Sequence, residues 1–156
     1  MIILSDNTAT NLLIDRLGTA AVNDFLDGQG MVGTRLNRRL FEPELARKGV
    51  ENVIVPEEIG RMLASMEAGT LISPGASQAM LDILKKQRLN GKIPVLLPPG
   101  TPIAHKTGED SGITHDVGIV YGPQPFVLCL CANGVEVGPF ERAMQQIARE
   151  LYDAWQ

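Results

Sequence analysis

The chain has 156 residues, 44% apolar and 21% charged, which suits one folded domain with its own core and excludes a disordered segment. A net charge of −4 excludes a general basic footprint for nucleic acid. No apolar run reaches the ~18 residues a membrane span needs, and no charged-then-apolar leader opens the chain, so neither a span nor a signal peptide is expected.

In chain order, apolar Met1 to Leu4 runs directly into Ser5-Asp6-Asn7, an abrupt start for a domain. Ala9 to Leu17 reads as a helix with Leu12, Leu13 and Leu17 as its apolar stripe and Gly18 as its stop. Thr19 is placed to cap a second helix reaching about Leu26, with Val22, Phe25 and Leu26 inward. The stretch from Thr34 to Val53 is dense in charge and has no clean period, so it reads as a long loop with a turn of helix. Pro56 opens a helix at its first position, with Glu57 and Glu58 favouring the positive end of the helix dipole and Ile59, Met62, Leu63 and Met66 inward. Ser73-Pro74 repeats that grammar, with Met80, Leu81 and Leu84 inward. Lys85, Lys86 and Arg88 fall in its last turns and Gly91 is its stop.

Prolines 94, 98, 99 and 102 then stiffen a connection. Strands are expected over Ile103–Thr107, Val117–Tyr121 and Phe126–Ala132, the last two joined as a hairpin through Gly122-Pro123-Gln124-Pro125. A final amphipathic helix runs over Pro139–Trp155, with Phe140, Met144, Ile147, Leu151 and Trp155 on one side. Helices, then antiparallel strands, then one helix make an α+β fold: a helical part over 1–93, and over 94–156 a small sheet of about three strands plus the C-terminal helix. Cys129 and Cys131 share one strand face, poorly placed to pair, and read as buried core thiols. His105 and His115 are the only histidines, so no metal-ligand spacing exists, and no metal or organic cofactor is expected.

Two short motifs carry the chemistry. Ser5-Asp6-Asn7 stands directly before a helix, and Lys106-Thr107-Gly108 lies far downstream on a candidate strand. Singly, the first is an N-cap cluster and the second a turn. In this order, they match two of the three elements of class A β-lactamases and penicillin-binding proteins. The flanks Met1-Ile2-Ile3-Leu4 and Thr8-Ala9-Thr10-Asn11-Leu12-Leu13 resemble that family around its second motif, and Leu97-Pro98-Pro99-Gly100-Thr101-Pro102-Ile103-Ala104-His105 resembles it before the third. His115-Asp116-Val117-Gly118-Ile119-Val120-Tyr121 continues the likeness, which runs from Met1 to Trp155.

The resemblance implies acyl transfer, in which a serine opens a strained amide and water releases the acyl enzyme. Lys106 would bring positive charge to the substrate carboxylate and to the Ser5 hydroxyl, and Ser5 would relay a proton to the departing nitrogen. Thr107 and Gly108 would line the substrate site, with Thr107 bonding the carboxylate. Asn7 would hold the substrate's amide and orient the catalytic lysine, and Asp6 would anchor the loop. The Glu109 main-chain N–H would supply one oxyanion donor. Phe41-Glu42-Pro43-Glu44-Leu45 resembles the Trp-Glu-Pro-Glu-Leu segment whose first glutamate activates the deacylating water. Here, extra residues precede it and Ala46 replaces the family's asparagine, so Glu42 reads either as that base or as a solvated carboxylate. Arg38 or Arg39 would pair with an acid to pin the loop. His105 would pack on the face opposite Lys106, His115-Asp116 would stand at the pocket rim, and Ser111 is a further pocket candidate.

The family's Ser-x-x-Lys is absent, because no serine here precedes a lysine by three residues. The chain therefore resembles the C-terminal part of an incomplete β-lactamase-like fold, inactive alone, with an exposed apolar groove awaiting a missing N-terminal segment or self-association. Its substrate would be a β-lactam or related acyl compound. The alternatives are a penicillin-binding sensor without turnover, an acyl esterase, or a structural remnant. Resemblance places the full-length parent in the periplasm or outside the cell.

Overall fold

Asp6 begins the first long helix by taking one of its orphan amides: Ala9 N–H donates to Asp6 Oδ1 at 2.6 Å. The computed structural model describes residues 1–155; Gln156, the end of the expected domain, lies outside the described residues. A single 3-10 turn, Ile2–Leu4, precedes α1 (Asn7–Leu17) and α2 (Thr19–Gly28). Gly18 separates them at φ 79, a left-handed value that suits glycine. Gly18 is also the N-cap of α2, so Thr19 is its first helical residue and makes no cap. The expected inward stripe of α1 is reversed: Leu12, Leu13 and Leu17 are exposed and only Ile14 is buried.

The segment from 34 to 53 is irregular but ordered. Its ends close in an antiparallel bridge between Arg35 and Val53. Inside it, Asn52 Oδ1 accepts from the Asn37 and Arg38 amides at 2.8 and 3.0 Å. The single helical turn is α3 (Pro43–Arg47), with Pro43 at its start. Both arginines of the predicted pin are used: Arg38 pairs with Glu51 at 2.5 Å and Arg39 with Asp15 at 3.1 Å.

Helices α4 (Pro56–Glu67) and α5 (Pro74–Leu84) begin at proline as predicted, and Ser73 Oγ caps the second through Ala76 N–H. Helix α5 stops at Leu84 rather than running on toward Gly91. Gln87 explains the stop. It is buried, its Oε1 accepts from the Arg88 and Leu89 amides, and those bonds replace helical ones.

Three strands follow, β1 (Ile103–Asp110), β2 (Ile113–Val120) and β3 (Phe126–Asn133), in one antiparallel sheet of order β1-β2-β3. The register places Lys106 opposite Val117 and Thr107 opposite Asp116. Strand alternation divides the core in two. Ala104 and Ile119 pack with Leu63, Met66, Leu71 and Leu81 of the α4–α5 side. Val120 and Leu128 pack on the other face with Ile93, Leu97 and Ala148. Helix α6 (Val137–Ala154) covers that second face through Met144 and Ala148, whereas the predicted stripe residues Ile147 and Trp155 are exposed. Cys129 and Cys131 are free and half-buried rather than fully buried, and Cys129 packs against the first of these clusters. Burial pushes the Cys129 thiol up to about 11, so it stays protonated near neutrality.

Candidate active site

Ser5 follows the 3-10 turn in a left-handed conformation, φ 51 and ψ 38, uncommon for a residue with a Cβ. Its Oγ accepts a hydrogen bond from Lys106 Nζ at 2.7 Å. The two motifs are thus brought into contact. Lys106 stands on β1 with its side chain toward α4 and α5, and also donates to Thr107 O at 2.5 Å. Burial lowers its pKa, repulsion from Lys92 adds to that, and attraction to Asp116 and Glu109 opposes it.

Gln87 joins the backbones that carry the two motifs. Its Nε2 donates to Ile2 O at 3.3 Å and to His105 O at 3.4 Å, and Arg88 N–H donates to Ile3 O at 3.0 Å. Nothing local in the sequence marks Gln87, because a lone glutamine after a helix has no motif.

Beside the pair opens a cavity of about 480 Å³. Lys106, Thr107, Gly108 and His115 supply its polar end, and side chains such as Ile59, Met62, Met66 and Leu84 line the rest. A second cavity of about 430 Å³ lies between the 34–53 loop and the sheet, bordered by Asn52, Ile54, His115 and Cys131. His115 therefore touches both. Its Nδ1 lies 2.9 Å from Thr114 O and 3.2 Å from the Ala132 amide nitrogen. Burial lowers its pKa.

His105 and Asp116 lie behind the motif strand, on the face away from Lys106. They are fully buried, with His105 Nδ1 2.8 Å from Asp116 Oδ1. Ile93 N–H donates to Asp116 Oδ2 at 3.0 Å. Asp116 is thus not at the pocket rim, because strand alternation turns it away from its neighbour His115. Lys92 is buried nearby and donates to Gly108 O and His115 O at 3.1 and 3.2 Å.

The remaining predicted site residues are dispersed around this centre. Asn7 is exposed at the first position of α1. Glu109 is exposed, its carboxylate 3.2 Å from Lys92 Nζ. Ser111 is exposed in the turn between β1 and β2, where its amide donates to Asp110. The Glu42 carboxylate accepts from Arg39 N–H at 3.0 Å. Asn11, one helical turn after Asn7, holds the main chain of Leu40 at both its N–H and its carbonyl. Glu58 is buried at the head of α4, where it accepts from the Gly33 and Thr34 amides at 3.0 and 2.7 Å. It is a loop anchor as well as a dipole partner. Among the described residues, no cluster of three metal-ligating side chains occurs.

The fold has counterparts among solved structures. PBP-A is 31% identical, with a TM-score of 0.87 over 99% of this chain and 58% of that one. A variant of PBP-A, solved as an acyl-enzyme complex with penicillin G, superposes with a TM-score of 0.86 at 31% identity, over 99% of this chain and 58% of that one. A β-lactamase from Sphaerobacter thermophilus is 32% identical, with a TM-score of 0.84 over 96% of this chain and 58% of its own. The class A β-lactamase of Mycobacterium abscessus shares the fold at 23% identity, with a TM-score of 0.85 over 99% of this chain and 62% of that one. The chain thus spans less than two thirds of the length of these relatives. The family model described as the beta-lactamase enzyme family matches residues 1–155, and the chain belongs to that family.

Proposed function

We propose that this chain is the substrate-recognition part of a class A-like serine hydrolase that acts on a β-lactam, with its nucleophile supplied by a Ser-x-x-Lys segment outside these residues. The observation that carries this reading is the 2.7 Å bond between Lys106 and Ser5 beside an open apolar cavity. The nucleophilic oxygen attacks the lactam carbonyl, and Glu109 N–H stabilises the developing oxyanion. The C–N bond then breaks. Ser5 gives its proton to the nitrogen and regains the one that the nucleophile's hydroxyl released to the lysine of its own Ser-x-x-Lys segment, while Lys106 stays charged and hydrogen-bonded to Ser5. Thr107 and the Lys106 charge hold the substrate carboxylate, and Asn7 holds its side-chain amide. The apolar cavity and the exposed leucines of α1 suit the missing N-terminal segment, with self-association as the other way to cover them. The parent protein acts outside the cytoplasmic membrane; no described helix is long and apolar enough to cross one.

A second reading, penicillin binding with little turnover, is favoured by the 34–53 loop. The carboxylate of Glu42 is engaged with Arg39 N–H, and the residue that Asn11 holds is Leu40, which has no base. A loop without a placed base leaves the acyl group in place.

Intact mass after incubation with penicillin G tests the central claim. The expected result is no adduct on this chain, together with amide shifts at Lys106 and Thr107. A penicilloyl adduct would assign the nucleophile to this chain, most directly to Ser5, and overturn the reading.

A further inference from the structure

We infer that Lys92 is a positioning residue that strengthens the Glu109 N–H as a hydrogen-bond donor by charging the far side of the same peptide group. The inference rests on the role proposed for Glu109 above.

Lys92 lies between α5 and β1, and its side chain is only 3% exposed. A buried ammonium is expensive and persists only with close acceptors. Lys92 Nζ has two main-chain oxygens, Gly108 at 3.1 Å and His115 at 3.2 Å, and two carboxylates, Glu109 at 3.2 Å and Glu141 at 3.6 Å. Gly108 and His115 face each other across β1 and β2, so ladder pairing serves their main chains without an ammonium.

The Gly108 carbonyl and the Glu109 N–H belong to one peptide unit. That unit is trans, so the two groups point to opposite sides. Lys92 reaches Gly108 O together with an oxygen of β2, which places that oxygen on the β2 side. The Glu109 N–H therefore points to the open edge of β1, which is one of the two edge strands of the sheet. Positive charge on the oxygen draws electron density from the nitrogen and makes the N–H a better donor. It also fixes the direction of that N–H, as an oxyanion site requires.

The test is base-catalysed exchange of the Glu109 amide in the 15N-labelled chain, compared among wild type, Lys92→Met and Lys92→Arg. Loss of the charge lowers amide acidity, so Lys92→Met slows exchange at Glu109 about tenfold, one unit of acidity. Lys92→Arg keeps the wild-type rate. A merely structural role predicts the opposite sign, because a loosened strand end exchanges faster. Unchanged or faster exchange in folded Lys92→Met would overturn the inference. If that variant does not fold, Glu141→Gln strips a carboxylate from the ammonium and speeds Glu109 exchange alone, leaving Ala104 and Val117 unchanged. Failure of that selective increase overturns the inference equally. Penicillin G titration separates the two claims. A Glu109 amide that responds to Lys92 but not to penicillin would reject the oxyanion role and leave the coupling standing.

Discussion

Asn11 holds Leu40 at both polar ends of its main chain: Leu40 N–H donates to Asn11 Oδ1 at 2.8 Å, and Asn11 Nδ2 donates to Leu40 O at 3.1 Å. The contact ties the helix that follows Ser5 to a loop 29 residues away. Asn11→Leu removes both bonds and leaves the Leu40 groups unpaired, at a cost of about 1–3 kcal/mol. Denaturant unfolding reads that loss, and amide exchange at Leu40 should rise before that of the sheet. Unchanged stability would mean that the loop is held without Asn11.

Lys106 gives a pH prediction with two signs. Burial holds its pKa below the ordinary lysine value of about 10.4. The anionic carboxylate of penicillin therefore loses affinity as pH rises through that lowered pKa, earlier than with a surface lysine. Stability moves the other way. The unfolded chain binds this proton more tightly, so between the folded and ordinary pKa values stability rises with pH. Lys106→Met should flatten both profiles. Titrations at a series of pH values, with denaturant midpoints beside them, check each arm separately.

Glu58 gives an acid limb. Its pKa is lowered by the Thr34 side chain foremost, and by the Gly33 and Thr34 amides, against the opposing effect of burial. Its stabilising contribution is present above the ordinary glutamate pKa and is lost as pH falls through the folded value. Glu58→Gln should shallow the loss of thermal stability below about pH 4. An acid limb identical to wild type would show that other carboxylates govern it.

Gly118 is required by the strand opposite. A Cβ there would lie 2.5 Å from His105 Cβ and 2.6 Å from Ala104 O, and the second contact is backbone that cannot swing away. Gly118→Ala should destabilise the sheet by about 1–3 kcal/mol. The His105 and Asp116 signals should shift with it, since His105 must move. A variant as stable as wild type would show that the strands separate at little cost.

The chain-order reading located the α-helices and the three strands, because proline starts, glycine stops and strand alternation are local signals, but it missed the 3-10 turn Ile2–Leu4 and the first half of β2, which starts at Ile113 rather than Val117. Two kinds of error remained. Helix faces were misjudged where the partner decides burial: Leu12, Leu13 and Leu17 repeat like a buried stripe yet are exposed, and Ala148 rather than Ile147 meets the sheet. Polar anchors were invisible or misplaced where their partners are distant in sequence. Gln87 bridges the two motif segments, Lys92 is buried against the ladder, and Asp116 turns inward to His105.

The sequence by itself determined the α+β order, both short motifs, and their likeness to a β-lactamase-type site. Those features are set by neighbouring residues and fixed spacing. Only the tertiary structure decided that Ser5 and Lys106 touch, that the 34–53 loop presents Leu40 to Asn11, and that a buried ammonium stands behind Gly108. Each of these joins residues far apart in the chain. Such a meeting depends on the packing of whole elements, which no local pattern encodes.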